Sequence, residues 1–401
     1  MSKNHDKISK LIQDNLPPIF RGLRIIDPDK KVVYCKRCVI SNQRPRLMFN
    51  EEGICAACLF AEYKHNTINW DEREKKLEEL CDKFRSKDEG WDIIVPGSGG
   101  KDSGYVAYTL KKKYGMHPLT VTWAPSIPTE IGIQNLYNFI QSGFDNIKGT
   151  PNGELHRKLS KITFSEFGDN FLPFIYGQIN FPFQIAVNYN IPLIFFGEDG
   201  DVEYGGSFER FNEPKLDMEY TLKSKFTSLP PQYWKSFGIN DNLQYYRPPS
   251  MEKINSAGVE AHYFSFYDKW SPEKHYEVAK KHLGYKSNPE GRSEGTFTDY
   301  ASLDDKSDGF HYYMAFIKFG ISRATADASH QIRDGILTRD EGVDLVLKYD
   351  HEYPSKFQDE FLTYMNMNLD ELQKIIDKFR RPIIWKKDNN GWKLNHQVSK
   401  L

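Results

Sequence analysis

The segment Trp91-Asp-Ile-Ile-Val-Pro-Gly-Ser-Gly-Gly-Lys-Asp-Ser-Gly104 restricts the folds open to this chain more than any other stretch. Asp92–Val95 reads as a short buried strand closed by Pro96 and Gly97. A helix follows, with Val106, Ala107, Leu110 and Tyr114 toward a core, Lys111–Lys113 toward water and Gly115 as its stop. Between them lies Ser98-Gly-Gly-Lys-Asp-Ser103. Glycines lack Cβ, so backbone N–H groups can curl round an anion, and the helix N-terminus adds partial positive charge. The serine hydroxyls and Lys101 complete a cradle for phosphate oxygens, and Asp102 is suited to hold a magnesium ion. Asp102 also stands where a Walker A loop needs Ser or Thr, and the glycine spacing is not that of G-x-G-x-x-G.

Four of the five cysteines form two C-x-x-C pairs, Cys35 with Cys38 and Cys55 with Cys58, sixteen residues apart. That spacing suits a tetrathiolate zinc site, and four thiolates leave no open position for water, so the metal is expected to be structural. The segment has few core residues of its own, so metal binding would supply much of its folding energy. Disulfides are the alternative. The polar start, Met-Ser-Lys-Asn-His, lacks the apolar core of a secretory signal, which points to a reducing, cytoplasmic setting. Cys81 recurs at helical spacing with Leu77, Leu80 and Phe84 and reads as a buried, inert thiol.

The charges nearly cancel: 54 Lys+Arg against 55 Asp+Glu leave −1 over 401 residues. That balance argues against a protein held to nucleic acid by phosphate contacts. No apolar run reaches the roughly 18–20 residues of a membrane helix.

Pro118–Trp123 and the continuously apolar Ile191–Phe196 read as further strands, and Glu260–Tyr267 as one more. Helical patterns lie between them, at Ile131–Gln141 and from about Phe181 to Tyr189. The expected architecture is α/β, a doubly wound parallel sheet with an N-terminal zinc module and a helical C-terminal region. Expected boundaries are 1–65, 66–290 and 291–401. Ligands of such sheets bind at the carboxyl ends of the strands, which gathers three loops: Ser98–Ser103, Trp123–Pro125 and Gly197–Gly206. The last carries four carboxylates in ten residues. One reading puts Glu198 or Asp199 on magnesium or substrate, with Glu203 and Tyr204 nearby; the other is a solvated acidic turn. Residues 208–249, rich in aromatics and proline, read as an insertion over the crevice in which Trp234, Tyr245, Tyr246 and Arg247 either stack on a ligand or simply pack. Helices are expected at His311–Phe319, Ala324–Arg333, Arg339–Tyr349 and Ser355–Met365. Lys318, Arg323 and Arg333 serve anionic ligands or structural pairs, and His330 reads as structural.

Ser98-Gly-Gly-Lys-Asp-Ser103 resembles the pyrophosphate loop of the PP-loop ATPases, whose fold is adenine nucleotide alpha hydrolase-like. Within that group the chain resembles the N-acetyl sugar amidotransferases of surface-polysaccharide and nonulosonic (pseudaminic or legionaminic) acid biosynthesis. The likeness spans roughly residues 20–380. It rests on the cysteine pairs, the loop, Phe196–Gly206, Gly295–Asp305, Ile317–Asp327 and Ile332–Arg339. It implies ATP and magnesium as cofactors. Ser98, Gly99, Gly100, Lys101, Asp102, Ser103, Thr122, Trp123 and Gly197 would bind the nucleotide, and Lys101, Asp102, Ser103 and Glu198 would act in catalysis. Glu198, Asp199, Glu203, Tyr204 and Arg323 would bind substrate, and Cys35, Cys38, Cys55 and Cys58 the zinc.

The implied reaction transfers AMP to the N-acetyl oxygen of a sugar or nucleotide sugar, and ammonia then displaces AMP to leave an acetamidino group. A glutaminase needs a nucleophilic cysteine, and none is left for that role, so ammonia is expected from a separate glutaminase subunit or from solution. A tRNA-modifying PP-loop enzyme and a nucleotide-binding module without turnover are the competing readings.

Overall fold

The computed structural model describes residues 16–197, 201–206, 208, 211–224, 231–389 and 391–401. A small antiparallel pair, β1 (Arg24–Ile25) and β2 (Met48–Phe49), precedes helices α1 (Ala56–Asn66) and α2 (Trp70–Phe84). Then come β3 (Ile93–Pro96), α3 (Lys101–Lys112), β4 (Pro118–Trp123), α4 (Glu130–Gln141), β5 (Asp145–Gly149), α5 (Gly153–Phe167), α6 (Leu172–Tyr189) and β6 (Leu193–Phe196). Two short helices, α7 (Met218–Ser224) and α8 (Met251–Ser256), lead to β7 (Glu260–Tyr263) and α9 (Pro272–Leu283). The C-terminal region holds α10 (Asp308–Phe319), α11 (Arg323–Arg333), α12 (Arg339–Tyr349), α13 (Gln358–Met365), α14 (Leu369–Lys378) and a hairpin, β8 (Trp385–Asp388) with β9 (Gly391–Leu394).

The five central strands are parallel and run β5-β4-β3-β6-β7. The order reverses between β3 and β6, which is where a doubly wound sheet opens its ligand crevice. Alternate residues of each strand serve opposite faces. Ile94, Leu119, Val121, Ile194 and Phe196 pack under α5 and α6 against Leu155, Leu159, Phe181 and Ile185. Ile93, Val95, Leu193 and Phe195 pack on the other face with Leu77, Cys81, Val106, Leu110, Ala279 and Leu283 of α2, α3 and α9. Cys81 is fully buried there, and burial pushes its thiol up to about 12, as an inert core cysteine requires.

Two expectations change in detail. The last central strand ends at Tyr263, because the chain turns into a 3-10 segment, Phe264–Phe266, that buries Phe264. Helix α6 begins at Leu172, nine residues before the expected start; Pro182 lies inside it. Of the two readings of 208–249, Trp234 and Tyr246 follow packing: both are buried under the sheet, and Tyr246 packs on Trp123 at 5.8 Å. Tyr245 is half-exposed beside Trp123. Among the described residues no helix is long and apolar enough to cross a membrane.

Candidate functional site

The loop after β3 is held at its base by bonds to β4. Gly97 N–H donates to the Val121 carbonyl (2.9 Å), and the Thr122 hydroxyl donates to the Gly97 carbonyl (2.6 Å). Asn146 of β5 donates in turn to Thr122 (2.8 Å). Thr122 is fully buried and its hydroxyl braces the loop, while its expected contact with nucleotide stays a proposal. Gly99 has φ +87°, and a Cβ there would stand 2.6 Å from the Leu136 backbone. Gly97 is as restricted, since its Cβ would meet the Ser103 hydroxyl at 2.5 Å. Helix α3 starts at Lys101 behind Gly100, which offers no side-chain cap. Its first N–H groups have no intrahelical acceptors, which suits an anion.

Lys101 lies over this loop, 5.0 Å from the Tyr300 ring, with Nζ at 2.8 and 2.7 Å from the two oxygens of Asp102. Asp102 also accepts from His275 Nδ1 at 2.8 Å. Burial alone would raise the Asp102 carboxyl, but Lys101 and His275 outweigh it and hold the acid well below the usual range. His275 is buried, stacks on Tyr105 at 4.1 Å, and is lowered by desolvation. Asp102 is therefore a carboxylate already matched by a cation. A magnesium ion at Asp102 would compete with Lys101 and His275 for the carboxylate oxygens, and the expected magnesium contact of Asp102 stays a proposal.

The crevice between β3 and β6 encloses ≈ 370 Å³. The loop residues Ser98, Gly100 and Ser103 form its floor, with Trp123 and Gly197 beside them; a Cβ on Gly197 would come within 3.1 Å of the Ser103 nitrogen. Tyr204 and Trp270 close one side. The C-terminal region contributes Asp304, Asp305, Asp308, His311 and Tyr312 to the lining. An adjoining hollow of ≈ 310 Å³ continues from Gly99 and Lys101 to Tyr285, Tyr300 and Arg323. Arg323 is matched by Asp327 (3.0 Å) and the Tyr312 hydroxyl (2.8 Å). The structure thus brings Ser98, Gly99, Gly100, Lys101, Asp102, Ser103, Trp123, Gly197, Tyr204 and Arg323 round one opening. Glu198 and Asp199 lie outside the described residues.

Glu203 is not in that opening. It is 4% exposed and bound by Lys64 of α1 at 2.9 and 3.1 Å, so its expected contact with substrate gives way to a structural ion pair. Lys318 donates to the Phe167 carbonyl, and His330 packs between Tyr204 and Trp270.

Sequence reasoning did not single out His275, Trp270, Asp308 or His311 for the site. They share no local motif with the loop. Asp305 shows how they arrive: its carboxylate accepts from the backbone N–H groups of Ser126 and Ile127, just past β4, and from Ser307 N and Oγ at 2.8 Å each. That knot, with the Lys306 N–H to Ile127 carbonyl bond, docks the start of α10 over the strand ends.

Cys35, Cys38, Cys55 and Cys58 are buried, with all four sulfurs within 4.8 Å of one another. Cys35 and Cys58 sulfurs stand 3.8 Å apart, and Cys38 and Cys55 sulfurs 3.7 Å. Four sulfurs about 2.3 Å from one ion form a tetrahedron with edges of about 3.8 Å, so the thiols fit a single metal ion. Arg339 donates to the carbonyls of Cys35 and Cys38 at 3.3 and 3.2 Å, tying this module to α12.

Residues 294–399 match the family model described as LPS biosynthesis protein WbpG-like, C-terminal domain. The segment that carries Asp304, Asp305, Asp308 and His311 is thus similar to a domain of lipopolysaccharide biosynthesis proteins. No curated protein matches the chain. Among solved structures, the chain is similar to the U34-tRNA thiolase NcsA from Methanococcus maripaludis, determined with its 4Fe-4S cluster. Identity is 14% and the TM-score 0.29, over 66% of this chain and 79% of that one. The fold assignment rests on the strand order itself.

Proposed function

We propose that this protein is an ATP-dependent amidotransferase of surface-glycan synthesis, converting the N-acetyl group of a sugar or nucleotide sugar into an acetamidino group. One observation carries the reading: the glycine loop and the WbpG-like segment line a single crevice at the sheet's switch point. A nucleotide held by the first would present its α phosphate to a sugar held against the second.

An amide carbonyl is a poor electrophile, and its oxygen is a poor leaving group. Moving AMP onto that oxygen corrects both. The amides of Gly99 to Ser103 and the Lys101 ammonium stabilise the departing pyrophosphate and align the attack. Asp102 and His275 keep Lys101 in place. Magnesium, when bound with ATP, would neutralise phosphate charge, and Glu198 and Asp199 remain its proposed protein ligands. Zinc is the proposed occupant of the cysteine site, because the sulfurs have the spacing of one tetrahedral ion and a four-iron cluster would spread them further.

A tRNA thiolase is the second reading. Such chemistry needs a thiol free to carry sulfur, whereas four cysteines here surround one ion site and Cys81 is sealed in the core. The near-zero net charge also supplies no broad cationic surface for RNA.

The experiment is mass spectrometry of the purified chain with ATP, ammonium and a panel of N-acetyl sugars. The proposal expects AMP together with a product in which NH replaces the acetyl oxygen. Glutamine alone is expected not to support turnover without a partner glutaminase. ADP as the nucleotide product, or steeply salt-dependent binding of tRNA, would contradict the proposal.

A further inference from the structure

Among the described residues, two crevice carboxylates are left without a task by the foregoing chemistry, half-buried Asp304 and buried Asp308, and Asp308 is the one withdrawn from water. It is 8% exposed, opens α10, and lines the same cavity as Ser98, Gly100, Ser103 and Gly197. Its neighbour Asp305 is consumed by four hydrogen bonds to Ser126, Ile127 and Ser307. Asp102 is matched by Lys101 and His275, Asp169 by His311 at 3.0 Å, and Asp327 by Arg323. The Asp308 carboxylate, by contrast, makes no hydrogen bond or ion pair within the described structure, although a buried carboxylate ordinarily finds one. A buried, unmatched acid facing a substrate crevice is suited to a small cationic ligand or to a transferable proton.

We propose that Asp308 receives the ammonium ion and takes its proton, delivering ammonia to the adenylated acetyl carbon. This assignment rests on the amidotransferase reading and specifies its second half-reaction. One N–H bond of ammonium breaks, its proton passing to an Asp308 oxygen and its electron pair staying on nitrogen. That pair forms the new C–N bond, and the C–O bond to AMP breaks with its pair on the AMP oxygen. With the acetamido N–H retained through adenylation, the attacking nitrogen releases a further proton to solvent, the product is an amidinium, and Asp308 returns its proton to solvent before the next turnover. The groups that face Asp308 are Asp304 and Asp305 from the preceding loop, His311 one turn on, and Arg323 from α11. Burial, with Asp304 and Asp305, pushes the Asp308 carboxyl up to about 7, which suits exchange of a proton with ammonium near neutrality.

The test compares two nucleophiles on the full chain, with ATP and N-acetylglucosamine, N-acetylmannosamine or UDP-N-acetylglucosamine as acceptor. Ammonium must lose a proton before it attacks; hydroxylamine is largely unprotonated at neutral pH and need not. Asp308→Asn is expected to lower the ammonium-dependent rate by roughly a hundred- to ten-thousandfold. The hydroxylamine-dependent rate is expected to fall by less than about tenfold, so the variant becomes selective for the neutral nucleophile. Asp308→Glu, which keeps the carboxylate, is expected to return part of the ammonium rate. An ammonium rate near wild type in Asp308→Asn overturns the assignment, as does an equal loss with both nucleophiles in a variant whose circular dichroism is unchanged. A folded Asp308→Glu protein no better with ammonium than the Asn variant also overturns it. Sugar-dependent ATP–pyrophosphate exchange by the wild type reports on the first half-reaction alone. If the wild type shows no such exchange with any acceptor, the amidotransferase reading fails and this assignment fails with it; if exchange is present, the variants decide Asp308 separately.

Discussion

Lys64 and Glu203, 139 residues apart, form a buried ion pair that fastens the turn after β6 to the cysteine module. Gly205 seals the same contact from the other side, since a Cβ there would stand 2.5 Å from Leu47 and 2.9 Å from the Ala57 nitrogen. Between these two anchors sits Tyr204, which reaches the crevice. The module therefore positions a wall of the crevice from outside it.

Removing one partner leaves the other charged and unmatched in the interior. Glu203→Gln is expected to destabilise the protein by about 3–5 kcal/mol in urea denaturation, and Lys64→Met/Glu203→Leu together by much less. Equal losses in the single and double variants would show that the pair does not hold the turn.

The cysteine site should act on the crevice through the same contact. Cys38→Ser, or exhaustive chelation, is expected to remove one metal ion per chain by elemental analysis. It should cost on the order of 5 kcal/mol of stability or more, and weaken nucleotide binding in titration calorimetry. A metal-free protein with unchanged melting and nucleotide affinity would separate the two sites.

Gly99→Ala adds a Cβ at a positive φ and against the Leu136 backbone. The strain is expected to cost about 1–3 kcal/mol and to distort the amide nest. ATP affinity by calorimetry should fall more than about tenfold. A variant binding ATP as tightly as wild type would remove this loop from the phosphate site.

The loop, β3, β4 and β6 were legible because they are local: an apolar run, a glycine cluster and a helical period follow one another within a few dozen residues. The polar edge strand β5 was not, because its residues Asp145–Gly149 have no alternating pattern and become a strand only by pairing with β4. Helix α6 extends from Leu172, nine residues before the expected start, and runs through Pro182. Glu203 looked functional as one of four carboxylates in a loop; its partner Lys64 lay too far along the chain to be seen. His275 reaches Asp102 only through α9 packing on α3, and Asp308 reaches the crevice only through the Asp305 knot, so no spacing announced them.

Stability should carry the mark of Asp308. Its folded carboxyl titrates at about 7, above the roughly 3.9 of an unfolded aspartate, so between those values the folded protein binds the extra proton. Stability from this group is full below the lower value and is lost as pH rises through the upper one. Asp308→Asn removes the buried charge and is expected to be more stable than wild type at pH 8, on the order of 2 kcal/mol, with the gain shrinking toward pH 4. A constant difference across that range by thermal denaturation would contradict the raised value.

Transfer of AMP to the acetyl oxygen is tested most directly by isotope. With an N-acetyl sugar carrying oxygen-18 in its acetyl carbonyl, together with ATP and ammonium, the account predicts that the label leaves in AMP and that the amidino product carries none. Unlabelled AMP, or label retained in the sugar after turnover, would contradict it.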